Sequence, residues 1–387
     1  VEVLKSRYRG ISGGGWMRRA LVVSQFTVSA ILIISTIIIY QQIELIKNKP
    51  LGYAREQILT LPLNPEARDR FEVLKTEWTR HSGVLNVTSS STVPTSGTSH
   101  SMFDLSGLED ELSMARYYID PDFLETYDLK LLAGSDISTP VTEQGRAEFI
   151  MSEMAVREAG LESPDELLGR TVKWQEFSGT VKGVVNDMIL YDLRHDTYSV
   201  MFFITPVQYH KFASLRINTA QTAQVLNHIE EVWNSQVASY PLEYSFLDDK
   251  FEQMHRSDHK MARTVTYFAL LTIVIACLGL FGLAAYTAER RRKEIGVRKV
   301  LGASVTQIIG LLSYDFMKLI SLALVVGMPV AWWGMNRWLQ GFVYKIDVGA
   351  AAFLYAGFIL LAITFLTISY QAVKTARLNP VHSLRSE

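Results

Sequence analysis

Cysteine occurs once, at Cys277, which excludes an internal disulfide framework and any multi-cysteine metal site. The chain contains no Gly-Lys dipeptide, so it holds no phosphate-cradling P-loop and no ATPase of that kind. H-E-x-x-H and C-x-x-C are also missing, which removes the commonest metalloprotease and redox signatures. Charge is scarce, at 20% of residues, and nets to −1, which argues against a nucleic-acid partner. Low complexity is confined to one short Ser/Thr tract, so the chain is neither disordered nor fibrous.

What is abundant is apolar surface. Hydrophobic residues make up 48% of the 387 positions, and mean hydropathy is +0.12. The near-zero charge hides a partition. Residues 41–262 carry 20 Lys+Arg against 33 Asp+Glu, and the remainder carries 18 against 6. Two parts of opposite sign imply two compartments.

Four uncharged runs lie between named charges: Ala20 to Ile43, Thr264 to Ala288, Leu319 to Asn336 and Val348 to Val373. Their lengths are 24, 25, 18 and 26 residues. About 20 apolar residues cross a hydrocarbon core, and only a helix satisfies its own amides there. The third run is extended backward through Leu311 and Leu312, which leaves Asp315 and Lys318 at the head-group boundary, three apart and able to pair.

Basic residues set the orientation. Lys5, Arg7, Arg9, Arg18 and Arg19 precede the first run, and Arg290, Arg291, Arg292, Lys293, Arg298 and Lys299 follow the second. Lys374, Arg377 and Arg385 follow the fourth, whereas the short connection before it offers only Arg337 and Lys345. The fold class expected is a helical membrane protein, with four transmembrane helices and a large α+β extracytoplasmic domain between the first two. The divisions are 1–19, a cytoplasmic segment; 20–43, the first span; 44–262, the extracytoplasmic domain with stalk helices; and 263–288, the second span. Then come 289–308, a cytoplasmic coupling segment; 309–336, the third span; 337–347, a short outer loop; 348–373, the fourth span; and 374–387, a cytoplasmic tail.

Within 41–262, Gln41 to Lys47 continues the first helix until Pro50 and Gly52, and Phe251 to Arg263 reads as a polar helical stalk feeding the second span. Between the stalks, Ile58–Leu61, Leu85–Thr88 and Ser199–Thr205 read as strands, and Thr171–Trp174 with Gly179–Val185 as a hairpin. Arg68–His81 and Asn218–Trp233 read as helices. The tract Thr88 to Ser101, broken by Pro94 and Gly97, reads as an exposed loop, a ligand-contacting lip being the sharper alternative.

Candidate chemistry is thin. His255 and His259, with Asp258, have the spacing of two metal ligands on one helical turn, but no third ligand is identifiable and a solvated face is the expectation. His195, beside Asp196, suggests half of a His–carboxylate pair without a nucleophile. Cys277 lies inside an apolar run and is expected to be a packed small residue. No catalytic residue, metal or cofactor is expected.

The most distinctive stretch is Glu289 to Ser304. Ile295, Val297, Val300 and Leu301 place apolar side chains among basic ones, and Gly296 and Gly302 permit close backbone approach. Ser304 is placed as an N-cap for a helix over Val305–Leu312. Such a segment suits docking into a partner's groove, with apolar anchors and charged orienters.

Residues Arg292, Lys293, Glu294, Ile295, Gly296, Val297, Arg298, Lys299, Val300, Leu301, Gly302, Ala303 and Ser304 resemble the signature of FtsX/MacB-type ABC transporter permeases. Ala276–Ala284 and Asn379–Arg385 are similar to the same family. Tyr118–Gly134, Phe149–Gly169 and Gly179–Asp187 resemble the MacB-type periplasmic core domain. The resemblance covers nearly the whole chain and implies a permease subunit in the inner membrane that partners a separate ABC ATPase. It implies that Arg292 to Lys299 and Leu301 to Ser304 form the ATPase-coupling interface. ATP-driven motion would then move the stalks and outer domain, as mechanical transmission for export. A periplasmic adaptor or substrate would engage the outer domain. Relatives carry two four-span halves in tandem, so the expected second permease half is a tandem N-terminal half, with a homodimer as the alternative. A second reading keeps the fold but makes the chain a non-transporting regulator of a periplasmic enzyme or signalling partner. A third, a membrane-anchored enzyme, rests on His195, His255 and His259 alone.

Overall fold

The computed structural model describes residues 13–190, 198–291, 294, 297, 298, 301 and 303–376. The chain divides into two units, one being Asn48–Arg256 and the other the described residues on either side of it.

The flanking unit is helical. It consists of α1 (Gly13–Asn48) and, later in the chain, α8 (Arg256–Arg290), α9 (Val305–Leu339) and α10 (Ala350–Ala376). All four are long and apolar enough to cross a membrane, the qualifying stretches being Trp16–Asn48, Arg256–Arg290, Ile309–Leu339 and Ala350–Lys374. Alanines recur through their mutual core, where Ala30, Ala276, Ala284, Ala323, Ala331, Ala352, Ala356 and Ala372 are buried beside larger side chains such as Phe26, Ile34 and Phe316. Small side chains let helix backbones approach when lipid supplies no hydrophobic drive between helices. Gly327 of α9 shows the limit, since a Cβ there would lie 3.2 Å from both Ala30 Cβ and Thr27 O of α1. Other large residues face away from this core, as with Phe358 and Leu366, which are 72% and 67% exposed. Several hydroxyls are satisfied within their own helices: Thr27, Thr266, Thr287, Thr364 and Thr367 each donate to the carbonyl four residues back.

Ser304 caps α9 as expected. Its side chain accepts from Gln307 N and the Gln307 side chain returns to Ser304 N, a reciprocal box. The expected Asp315–Lys318 pair does not form. Asp315 instead pairs with Arg291 at 2.8 Å, and Lys318 lies 4.1 Å from the centre of the Tyr314 ring.

The Asn48–Arg256 unit is α+β. Its strands are β1 (Ile58–Pro62), β2 (Val84–Ser90), β3 (His100–Leu105), β4 (Leu112–Ile119), β5 (Leu131–Gly134), β6 (Arg146–Ser152), β7 (Thr171–Trp174), β8 (Phe177–Val185), β9 (Val200–Ile204), β10 (Phe212–Ile217) and β11 (Ser245–Phe246). Its helices are α2 (Pro65–Asp69), α3 (Phe71–Thr79), α4 (Phe123–Tyr127), α5 (Glu153–Glu158), α6 (Thr222–Gln236) and α7 (Leu247–Met254). The strand order is β11-β1-β10-β2-β4-β3-β7-β8-β6-β9, with β5 attached to β8, and β9 returns to pair with β4. The return closes β4-β3-β7-β8-β6-β9 into a ring, and β11-β1-β10-β2 extends from it as an open sheet. Most pairings are antiparallel, but β4–β9 and β6–β8 are parallel.

Each lobe has its own core. In the open sheet, Leu59, Leu61, Val87 and Leu215 pack under Phe71, Leu74 and Trp78 of α3 and Val225, Ile229 and Trp233 of α6. Trp78 and Trp233 stack with centroids 6.5 Å apart. Inside the ring lie Phe103, Met114, Phe149, Met151, Val172, Trp174, Val181 and Phe203. The joint between the lobes is narrow. β2 meets β4 at a single register pair, Ser90 with Ile119, and β3 resumes along the same edge of β4 at His100 with Ala115. The chain between is an excursion, tied down where Ser91 N donates to Tyr118 O at 2.8 Å and Arg116 N donates to Ser99 O at 3.0 Å.

This overturns the reading of an exposed loop for the first part of Thr88–Ser101, whereas 91–99 lie outside any strand and Ser96 and Ser99 are exposed. Thr88, Ser89 and Ser90 are buried strand residues, and Thr92 and Val93 are buried as well. Their hydroxyls are satisfied internally, which removes the usual cost of burying them. The helix expected over Arg68–His81 is two helices, α2 and α3, separated by Arg70 at φ −107°, ψ 12°. The helix expected from Asn218 begins at Thr222, because Asn218 accepts from Ala220 N and caps a short 3-10 turn first.

The stalk expected over Phe251–Arg263 is also broken. α7 ends at Met254, His255 takes φ −93°, ψ 5°, and α8 starts afresh at Arg256. Asp258 falls in the first turn of α8, where a carboxylate favours a helix start.

Candidate functional site

The stretch between α8 and α9 is built from the last turn of one helix and the cap of the next. At the end of α8, Tyr286 collects two cations: the Arg18 guanidinium is 4.2 Å from its ring centre and that of Arg290 is 5.7 Å away. Arg291 N still bonds Thr287 O at 3.0 Å, so the backbone stays helical to this point. The Arg291 side chain crosses to Asp315 of α9.

Of the residues expected to form a coupling interface, Arg292, Lys293, Ile295, Gly296, Lys299 and Gly302 lie outside the described residues. Glu294, Val297 and Arg298 are helical. Arg298 and Glu294 pair at 2.8 Å along one helix face, a solvent-exposed contact that orients more than it stabilises. The turn closes where Leu301 N donates to Val297 O and Ala303 N donates to Arg298 O. Ser304 then starts α9. Leu301 is 80% exposed and Val297 49% exposed. Two apolar side chains presented to solvent beside Arg298 and Glu294 give this turn an anchor-and-orienter surface.

At the other end of the helical unit, Gln42 of α1 is fully buried. Its amide nitrogen donates to Tyr344 O at 2.8 Å and its oxygen accepts from Ile346 N at 3.0 Å. One side chain thus satisfies two backbone groups of the connection between α9 and α10.

In the α+β unit, a polar hub sits at the joint between the lobes. Lys75 of α3 pairs with Asp120 at 2.8 Å and with Asp122. Thr88 donates to Asp120. Burial alone would lower the Lys75 ammonium, but the two carboxylates outweigh it and hold its pKa above the usual lysine value. Alongside, His210 bridges the two chain crossings between the lobes. Its Nδ1 is 2.7 Å from Ser89 Oγ on β2, and its Nε2 is 3.1 Å from Thr205 Oγ1 just after β9. Burial first, and the Lys75 charge second, push His210 down to about 4, so the ring is neutral and uses one nitrogen as donor and the other as acceptor.

The hub was missed in the sequence, although a signal existed. Phe71, Leu74 and Trp78 form the apolar stripe of α3, and Lys75 falls on that stripe at four residues from Phe71.

The other candidates do not assemble. His255 lies in the break between α7 and α8, and His255 and Asp258 are buried rather than on a solvated face. The His255 ring packs on Phe251 with centroids 4.7 Å apart. No group of three potential metal ligands occurs among the described residues. His195 lies outside the described residues.

Residues 266–380 match the family model described as FtsX-like permease C-terminal. Among solved structures, the periplasmic region of MacB from Actinobacillus actinomycetemcomitans is similar at 14% identity and TM-score 0.36, over 53% of this chain and 94% of that one. A domain of a putative permease from Porphyromonas gingivalis is similar at 15% identity and TM-score 0.33, over 51% and 90%. The extracellular domain of the noncanonic ABC-type transporter YknZ from Gram-positive bacteria is similar at 17% identity and TM-score 0.33, over 49% and 98%. No curated protein sequence gives a significant match.

Proposed function

We propose that this chain, whose residues 266–380 match the FtsX-like permease C-terminal family, is the membrane subunit of an ABC transporter. The family match carries the proposal. It coincides with the part of the chain that holds the exposed Val297 and Leu301. In this reading four spans fix the chain in the inner membrane, with both termini and 289–308 cytoplasmic and 44–262 outside. A separate ABC ATPase seats on the interface from Arg292 to Ser304, Val297 and Leu301 entering its groove. A second permease half completes the assembly, and the α+β unit engages a periplasmic adaptor or the exported substrate.

Two features suit the chain to transmit a push. The Arg291–Asp315 pair links the start of the coupling segment to α9. α8 is one helix from Arg256 to Arg290, so a displacement at its Arg290 end reaches Arg256 without an intervening loop.

The test is binding of the purified chain to its cognate ABC ATPase before and after Leu301→Asp. A charge in an apolar groove costs more than the contact it replaces, so at least tenfold weaker binding is expected. Unchanged affinity and unchanged stimulation of ATP hydrolysis overturn the docking assignment.

A further inference from the structure

We infer that Arg116 marks a carboxylate-binding site in the α+β unit, inside the strand ring beside Tyr118. Arg116 is on β4, with its side chain among the rings that fill the strand ring. Its guanidinium carbon is 4.6 Å from the centre of the Trp174 ring and 5.9 Å from that of Tyr118. Trp174 in turn stacks on Phe177 at 5.2 Å and packs against Phe203 at 6.3 Å. A half-buried cation in aromatic surroundings calls for a counter-charge, because the rings offset only part of its desolvation. Among the described residues no carboxylate lies within ion-pair distance of it.

The hydrogen-bond inventory is also incomplete. Nη1 donates to Tyr118 Oη at 3.2 Å. Nε is buried and donates to no protein acceptor. The edge formed by Nε and Nη2 is therefore unclaimed, and that edge is the one a planar carboxylate takes with two parallel hydrogen bonds. Tyr118, the partner of Nη1, meets Tyr209 edge-on with centroids 6.3 Å apart, and Tyr209 is 53% exposed.

The surroundings narrow the ligand. Aromatic walls favour a carboxylate carried next to an apolar or aromatic group. The segment 41–262 holds 33 acidic against 20 basic residues, and such a field opposes a dianionic phosphate more than a monoanion. The shared chemistry is thus an apolar monocarboxylate, whether a free small acid or the terminal carboxylate of a polypeptide. This inference is independent of ATPase docking.

The experiment uses the full chain in detergent micelles, with tryptophan fluorescence and thermal unfolding as readouts. Phenylacetate probes the small-acid source, and Gly-Gly-Phe with a free or an amidated C-terminus probes the polypeptide source. At least one free acid should bind saturably, with its amide (phenylacetamide or the amidated peptide) binding at least tenfold more weakly. That comparison uses the unmodified protein, so it does not depend on any variant folding. Arg116→Lys keeps the charge but loses the fork, and should weaken binding at least tenfold, as should Arg116→Gln. Failure of both free acids to saturate, equal binding of acid and amide, or undiminished binding by folded Arg116→Gln each overturns the site.

Discussion

Arg291 and Asp315 meet at 2.8 Å, joining the end of α8 to the first turns of α9 across the proposed docking segment. Both side chains are partly exposed, so the pair is worth only ~0.2–1 kcal/mol of stability. Its value in the proposed mechanism is mechanical. Asp315→Asn should leave thermal stability nearly unchanged while reducing stimulation of ATP hydrolysis about fivefold, the factor that ~1 kcal/mol represents. The exchange Arg291→Asp with Asp315→Arg should restore it, and stimulation assays on the single and double variants decide the matter.

Lys75 is the second testable point. It holds Asp120, whose side chain is only 11% exposed, at the joint between the open sheet and the strand ring. Lys75→Met leaves that carboxylate buried without its cation, which costs about 3 kcal/mol. Adding Asp120→Asn should recover most of the loss. Hydrogen exchange at β2 and β4 reads both results, and equal exchange in wild type and Lys75→Met contradicts the assignment.

His210 makes the same joint acid-sensitive. The folded ring takes up its proton at about 4, far below the ordinary histidine value of 6.5. Between those values the unfolded chain binds more protons, so stability falls as the pH drops through that window. The full loss is roughly 3 kcal/mol, complete below about pH 4. Lys75 is the charged group named in the shift, and it opposes protonation. His210→Gln should flatten the pH profile of unfolding measured between pH 4 and 6.5, and a profile identical to wild type contradicts the reading.

Much of this architecture was legible residue by residue. The four apolar runs, the Ser304 cap, strand β1 and the β7–β8 hairpin follow from hydropathy, capping chemistry and alternation. Other features depended on partners far away in sequence. β4 pairs in parallel with β9, joining Ala115 to Val200 and Ile119 to Ile204, and no local pattern in Leu112–Ile119 announces a ring closure. The Ser/Thr tract looked like an exposed loop because serine and threonine favour turns. Here Asp120, His210 and backbone carbonyls satisfy the hydroxyls of Thr88, Ser89, Ser90 and Thr92 instead. Asp315 was assigned to Lys318 by spacing, whereas Arg291 competes from a neighbouring helix that spacing does not see. The stalk break at His255 was hidden for a related reason. The polar run around it is compatible with one helix, and the separate start of α8 shows only in the backbone angles.

The docking surface is tested most directly by chemistry at Leu301, because Cys277 is the chain's single cysteine. A Cys277→Ser chain carrying Leu301→Cys can be treated with a short thiol cross-linker in membranes that also hold the ABC ATPase. The account predicts one adduct joining the two proteins, and protection of the introduced thiol from impermeant reagents added to intact cells. Labelling of that thiol from outside intact cells, with no adduct to the ATPase, would contradict it.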